Sequence, residues 1–210
     1  MLHHLIEHLI KSTLKSLLDN NQAELEFYLK LSDMKFKTKV AKLDHMHKVL
    51  DNSFIVMSYE EAFGIVHRSN EKFQTAPKKS EGLGKEHELY LVEKHCNNVP
   101  VFVIDWPKEL KAFYARKIDD NLVSACDLLF PSVGELCGGA LRENDHESLK
   151  FNIESLKIQG LDWYLDMRAS GAAPMGGFGL GFERLIQFIL KTQNIRDTIP
   201  FSRRPHDCKL

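Results

Sequence analysis

The sequence has little cysteine, and the few that occur are scattered. Four stand among 210 residues, at positions 96, 126, 137 and 208. None forms a Cys-x-x-Cys pair, which argues against a cysteine zinc site, and at this length no disulfide framework is indicated. No apolar run approaches the roughly 18 residues of a membrane helix. Neither sign of charge dominates, since 28 Lys+Arg face 29 Asp+Glu for a net charge of -1. The global basic excess that marks many nucleic-acid binders is missing, so any such contact needs a local patch. Arginine does not occur before Arg68, and Glu7 and Asp19 balance Lys11 and Lys15. The opening segment therefore lacks the Arg-rich, acid-poor character of an import sequence.

What is present reads as ordered structure. Hydrophobic residues are 43% and charged residues 27%, the ordinary balance of a soluble globular chain. Leu2, Leu5, Ile6, Leu9, Ile10, Leu14, Leu17 and Leu18 recur at helical spacing and predict a core-packing helix. Residues 1 to about 50 read as helical, with Lys30, Lys35, Lys37, Lys39 and Lys42 on a solvated face. Phe54–Met57 is a strand candidate, and Ser58 with Glu61 forms a capping box for the helix that follows. The polar stretch 69–86, with Pro77, Gly82 and Gly84, reads as a loop. From residue 99 the pattern favours strands: Val99–Ile104, Phe113–Lys117, Leu122–Phe130 after an Asp119-Asp120-Asn121 turn, and Val133–Ala140. Helices follow near 145–158 and 162–168, then a glycine-rich strand, Gly176–Gly181, feeds the helix Phe182–Leu190. Strands joined by short turns predict an antiparallel sheet with helices packed on one face, an α+β fold.

The glycine-rich strand carries the first functional signal. Its spacing is Gly-x-Gly-x-Gly, which differs from the dinucleotide fingerprint, and no Gly-Lys-Ser/Thr of a P-loop occurs. The missing side chains leave room for a flat ligand, and Arg184 stands near the start of the next helix. Arginine keeps its proton and offers a planar fork of donors to phosphate oxygens. A purine on the glycines and a phosphate on Arg184 make a coherent nucleotide site. A packed strand with a surface arginine accounts for the same residues, and the pattern alone does not choose.

A second constellation is Asp127, Glu135, Gly138, Gly139 and Arg142. Glu135 and Arg142 are seven apart, which puts them on opposite faces of a regular strand. A bulge at Gly138-Gly139 would bring them to one side. Carboxylates beside a phosphate site commonly hold Mg²⁺. Surface charge pairing is the alternative. His4 and His8 stand four apart on a helix, but no third metal ligand is evident.

Gly-Phe-Gly-Leu-Gly-Phe-Glu-Arg-Leu (177–185) resembles motif 3 of the class II aminoacyl-tRNA synthetases. Asp127-Leu-Leu, Gly134-Glu-Leu, Gly138-Gly139, Arg142-Glu143, Trp163–Arg168 and Asn194–Phe201 are similar to the aspartyl and asparaginyl subgroup. Glu86-His-Glu88 and Pro100–Asp105 resemble the asparaginyl enzymes, and the ending Pro205–Leu210 their mitochondrial branch. The resemblance implies a six- to seven-stranded antiparallel sheet flanked by helices. It implies that asparagine and ATP form asparaginyl-adenylate, that tRNA(Asn) is then charged, and that the setting is the mitochondrial matrix. It assigns Arg184 to the ATP γ-phosphate, Glu135 to Mg²⁺ between the phosphates, and Asp127 to a second acidic position near that ion. It assigns Arg142 to the amino-acid side chain and Gly177, Gly179 and Gly181 to the strand under the adenine. Arg184 and Glu135 are thereby the expected catalytic pair.

The sequence also departs from that pattern. The family places an anticodon-binding domain, the motif 1 dimer interface and motif 2 upstream of the region matched here. A partial core of this kind is expected to expose strand edges and apolar surface. Ser170 stands where the family has Tyr or Phe, and Met175 where it has His. Lys79-Ser-Glu-Gly82 replaces a Trp-Gly-x-Asp pattern. These departures motivate a second expectation, a stand-alone non-catalytic relative that binds a partner or small ligand. A synthetase-derived asparagine synthetase is a third, against which the missing motif 2 counts. His87 reads as a residue of loop ordering or of closure over substrate.

Overall fold

The computed structural model describes residues 2–36, 43–171 and 173–203, the side chains of 32–36 excepted. Lys37, Lys39, Lys42 and the ending at Pro205–Leu210 lie outside the described residues, as does the side chain of Lys35.

Apolar residues four apart wind the chain's first element. Helix α1 (Leu2–Phe36) buries Ile6, Ile10 and Leu14 along one stripe, then Leu25 and Leu29. Each such side chain contributes roughly 1.5–3 kcal/mol on full burial. Asn21 leaves the helical region, at φ -131° and ψ 22°, and kinks the helix. Leu5 and Leu9 point to solvent, so the stripe is narrower than the sequence pattern. Helix α2 (Asp44–Asp51) follows, burying Met46 and Val49. No helix among the described residues is long and apolar enough to cross a membrane.

Strand β1 (Ile55–Ser58) runs straight into α3 (Tyr59–His67), and the capping box is present in full. The Ser58 hydroxyl oxygen accepts the Glu61 N–H at 3.2 Å while the Glu61 carboxylate accepts the Ser58 N–H at 2.8 Å. Helix α4 (Lys85–Leu89) passes directly into a π-helix, Tyr90–His95. Strands β2 (Val101–Pro107), β3 (Leu122–Phe130) and β4 (Gly134–Leu141) form the centre. Helices α5 (His146–Ser155) and α6 (Asp162–Ala169) precede β5 (Gly176–Leu180) and α7 (Phe182–Leu190).

The five strands make one sheet in the order β1-β2-β3-β4-β5. Every neighbouring pair is antiparallel except β1 and β2, which pair in parallel from Ile55 opposite Val101 to Ser58 opposite Ile104. The fold is α+β as expected, but helices lie on both sides of the sheet rather than one. Phe102, Cys126, Leu128, Phe130 and Cys137 face α1, α2 and α7. Val101, Val103, Ala125 and Leu129 face the opposite way, against Tyr59 and Ala62 of α3 and Leu91 and Val92 of the π-helix. Alternation along each strand divides the two cores. The second layer covers β1 to β3 and reaches the start of β4, leaving the rest of β4 and β5 open.

The expected strand Phe113–Lys117 does not form. Only single bridges occur, from Ala115 to Arg142 and from Lys117 to Val123. The Arg116 N–H reaches the Leu141 carbonyl and the Ser124 N–H reaches the Arg116 carbonyl, each at 2.8 Å. The segment is wedged between the diverging ends of β3 and β4, where there is no free edge long enough for a regular ladder. The neighbouring turn is an Asx-type turn, in which Asp119 Oδ1 accepts the N–H groups of Asn121 and Leu122.

Candidate active site

The open end of the sheet carries a cavity of about 360 Å³. Its floor is bare because small residues oppose one another across β4 and β5. Gly138 faces Gly179, and Ala140 faces Gly177. A Cβ at Gly179 would meet nothing within 4 Å, so this glycine opens onto free space. A Cβ at Gly177 would lie 2.8 Å from Arg142 Nη2, which shows how closely the guanidinium lies over the strand. Gly181 ends β5, its N–H held by the Leu136 carbonyl at 2.8 Å, and turns the chain into α7 with Arg184 in the first turn.

Glu135 and Arg142 reach one side of β4, through a bulge at a different place from the one expected. Cys137 pairs with Leu128, but the next pair is Glu135 with Leu129, so Leu136 is the inserted residue. Leu136 and Cys137 both enter the helix-covered core. Glu135 thereby turns to the face that carries Gly138, Ala140 and Arg142. Gly138-Gly139 stays in regular register, opposite Asp127 and Cys126. The bulge falls at Leu136 because this large apolar side chain gains by entering the core, whereas the glycines have nothing to bury.

Asp127 lies beside Glu135. A Cβ at Gly138 would sit 2.9 Å from Glu135 Oε1 and 3.4 Å from Asp127 Oδ1, so the glycine makes room for both carboxylates. Asp127 is 7% exposed and forms an ion pair with Lys111. Burial raises its pKa; Lys111 pulls the other way and Glu135 adds to the rise. Lys111 also lies 3.8 Å from the centre of the Trp106 ring. Among the described residues Glu135 has no ion pair, and no group of three or more His, Cys, Asp or Glu is arranged to hold a metal ion. Two carboxylates still fit Mg²⁺, which keeps several waters and takes other ligands from substrate phosphates.

The remaining polar groups are held by their neighbours. The Arg142 guanidinium stacks 4.2 Å from the centre of the Tyr114 ring. Its backbone N–H reaches the Met175 carbonyl at 2.9 Å. Arg184 is exposed, and its guanidinium donates to the Glu135 backbone carbonyl. Arg168, 4% exposed, donates from Nε to the Glu143 carbonyl and from Nη2 to the Tyr164 hydroxyl. Glu143 accepts the N–H groups of Lys117, Asn144 and Asp145, which fixes the chain as it leaves Arg142.

Sequence reasoning missed Lys111 and Tyr114. Tyr114 sits in the wedge misread as a strand, Lys111 just before it at the end of a short 3-10 turn, and neither belongs to a spaced motif. His87 is a loop anchor. Its Nδ1 accepts the Gly84 N–H at 3.0 Å and its Nε2 lies 2.9 Å from the Thr75 carbonyl. Glu86 accepts the N–H groups of Gln74 and Thr75, each at 2.7 Å. The departures are also accommodated. Met175 acts through its carbonyl, Ser170 closes α6 on the Asp166 carbonyl, and the Lys79 carbonyl accepts the Tyr59 hydroxyl.

This arrangement can bind a flat base on the glycine floor and polyphosphate between arginine and carboxylate. The chain is 48% identical over 173 residues to the asparaginyl-tRNA synthetase of Mus musculus, covering 80% of this chain and 35% of that protein. It is 40% identical over 201 residues to the chloroplastic/mitochondrial asparagine--tRNA ligase of Arabidopsis thaliana, covering 93% of this chain and 34% of that protein. Among solved structures it is similar to Pyrococcus horikoshii asparaginyl-tRNA synthetase complexed with asparaginyl-adenylate. The TM-score is 0.79 at 30% identity, over 97% of this chain and 44% of that one. The chain thus spans less than half the length of these relatives. Residues 1–205 match the family described as tRNA synthetases class II (D, K and N), and the chain belongs to that family.

Proposed function

We propose that the chain carries the adenylation site of an asparagine--tRNA ligase, as the C-terminal part of the class II catalytic domain. The observation that carries this reading is the open cavity at the β4–β5 end. Its glycine floor is bordered by Glu135, Asp127 and Arg142, with Arg184 tied to the Glu135 carbonyl. The reading is supported by the asparaginyl relatives the chain matches.

The proposed reaction begins with an asparagine carboxylate oxygen attacking the α-phosphorus of ATP, which expels pyrophosphate. A terminal ribose hydroxyl of tRNA(Asn) then takes the asparaginyl group, and AMP leaves. Gly177, Gly179 and Gly181 give the adenine its surface. Arg184 binds the γ-phosphate, a role suited to a permanently charged fork of donors. Arg142 donates to the side-chain carbonyl of asparagine, its plane held by Tyr114. Glu135, with Asp127 beside it, would hold Mg²⁺, which when bound neutralises polyphosphate charge. The chain's own contribution is positioning and fixed charge rather than acid–base chemistry.

The proposed setting is mitochondrial translation; the homodimer is the family's assembly, and its motif 1 interface is not among the residues matched here. The support for that setting is the ending Pro205–Leu210 and the similarity to the organellar Arabidopsis thaliana ligase. Asparagine-dependent ATP–pyrophosphate exchange tests the reading, with aspartate as the control. Exchange with asparagine that disappears in Arg184→Ala is the expected result. Exchange that survives Arg184→Ala overturns the assignment of this site.

A further inference from the structure

Glu135 is held at both ends of its own backbone. Arg184 takes its carbonyl, and Glu88 Oε2 accepts its N–H at 2.9 Å. Glu88 comes from α4, on the opposite side of the β3–β4 turn from Arg184's helix. Five residues on, Glu93 Oε1 accepts the N–H of Ser132 at 2.8 Å, in the same turn. In a regular α-helix, residues five apart point about 140° away from one another at roughly 100° per residue. Here the chain widens into the π-helix, with the Cys96 N–H bonded to the Leu91 carbonyl at 2.9 Å, an i→i+5 bond. That wider turn brings residues five apart back toward one side. Two carboxylates thus grip one turn.

The turn is one that needs gripping. Ser132 and Gly134 both adopt left-handed backbone, at φ 68° and 76°. A Cβ at Gly134 would lie 2.6 Å from Glu88 Oε2, so the carboxylate lies directly on the turn. The next residues are Glu135 and the Leu136 bulge, whose register decides whether the Glu135 side chain faces the cavity or the core. The same short helix anchors the loop through Glu86 and His87, as described above. Loop anchor and turn clamp are therefore consecutive residues of one element.

We propose that Glu88 is a positioning residue for Glu135. It fixes the start of β4 in the bulged register and links that register to the ordered loop at residues 73–84. The effect on catalysis rests on the proposed role of Glu135; the positioning itself does not. Three variants separate hydrogen bond from charge. Glu88→Gln keeps a carbonyl acceptor at full reach and loses the charge. Glu88→Asp keeps the charge and loses the reach. Glu88→Ala loses both.

Amide hydrogen exchange over residues 130–136 of the free chain is the first readout, and the KM values for Mg·ATP and asparagine in pyrophosphate exchange are the second. In Glu88→Asp and Glu88→Ala the Glu135 amide is expected to exchange at least about tenfold faster, as for loss of the hydrogen bond itself. KM for Mg·ATP should rise with it while KM for asparagine holds. Glu88→Gln should stay near the parent in hydrogen exchange. An unchanged Glu135 amide in Glu88→Asp overturns the proposal, as does a Glu88→Gln chain that exchanges as fast as Glu88→Asp. If Glu88→Ala fails to fold, Glu88→Asp and Glu88→Gln decide alone. A chain with no pyrophosphate exchange but the expected amide pattern would sink the functional reading and leave the positioning role standing.

Discussion

Glu135 in β4 and Arg142 just beyond its end face the same side of the sheet although they stand seven positions apart, because Leu136 is inserted between the Glu135 and Cys137 pairing positions. The insertion delivers a carboxylate and a guanidinium to the same cavity while an apolar side chain enters the core behind them. Site and core are thus set by one backbone irregularity.

Gly177→Ala tests how closely Arg142 is placed. The new methyl would lie 2.8 Å from Arg142 Nη2, the far end of a flexible side chain, so the fold can yield there. We expect the melting temperature to hold. KM for asparagine should rise on the order of tenfold, corresponding to about 1.4 kcal/mol. An unchanged KM for asparagine would detach Arg142 from substrate recognition.

Much of this architecture was legible in the residues. The strand expected at Leu122–Phe130 coincides with β3, and Ser58 with Glu61 marked the start of α3. The glycine-rich strand running into an apolar helix also stands where it was expected. The failures share a cause. A strand pattern shows which face is apolar, but not which edge a segment meets. Phe113–Lys117 has strand composition and meets only the parted ends of β3 and β4. Nor does alternation show a bulge: Leu136 looks like any apolar strand residue, so the glycines at 138 and 139 drew the prediction. The parallel pairing of β1 with β2 depends on the long connection through α3 and α4, which local pattern does not encode. Lys111 was invisible because its meaning lies in Asp127, sixteen residues away.

Ser58→Ala tests the cap apart from the site. It removes the acceptor for the Glu61 N–H and should cost about 1 kcal/mol. For a chain of this size that lowers the melting temperature by roughly 2–4 °C. Pyrophosphate exchange measured well below the transition should be unaffected. A larger loss of activity than of stability would place α3 in the function.

His45 gives the stability a pH dependence with a defined sign. Burial, then the charge of Lys191, lowers its pKa to about 4 from 6.5, while the Ile189 and Phe188 carbonyls and Asp44 oppose the shift. The folded state holds the neutral ring, with Nε2 3.1 Å from the Ile189 carbonyl at the end of α7. The unfolded chain takes up the proton first. This contribution is therefore present in full above about pH 6.5 and lost as pH falls toward 4. Thermal melts of the parent and His45→Gln across that window should converge at low pH after parting near neutrality. Parallel curves would show that His45 does not titrate differently on folding.

Gly179→Val is the most direct test of the central claim, that the open β4–β5 end is the nucleotide site. Nothing lies within 4 Å of a Cβ at Gly179, and its backbone suits a strand residue, so valine should fold normally and stand in the cavity. Asparagine-dependent ATP–pyrophosphate exchange would be measured in parent and variant at matched melting temperatures. The account predicts that exchange is abolished while the melting temperature holds or rises. Undiminished exchange with valine in place would contradict it, because the base could not then lie on this floor.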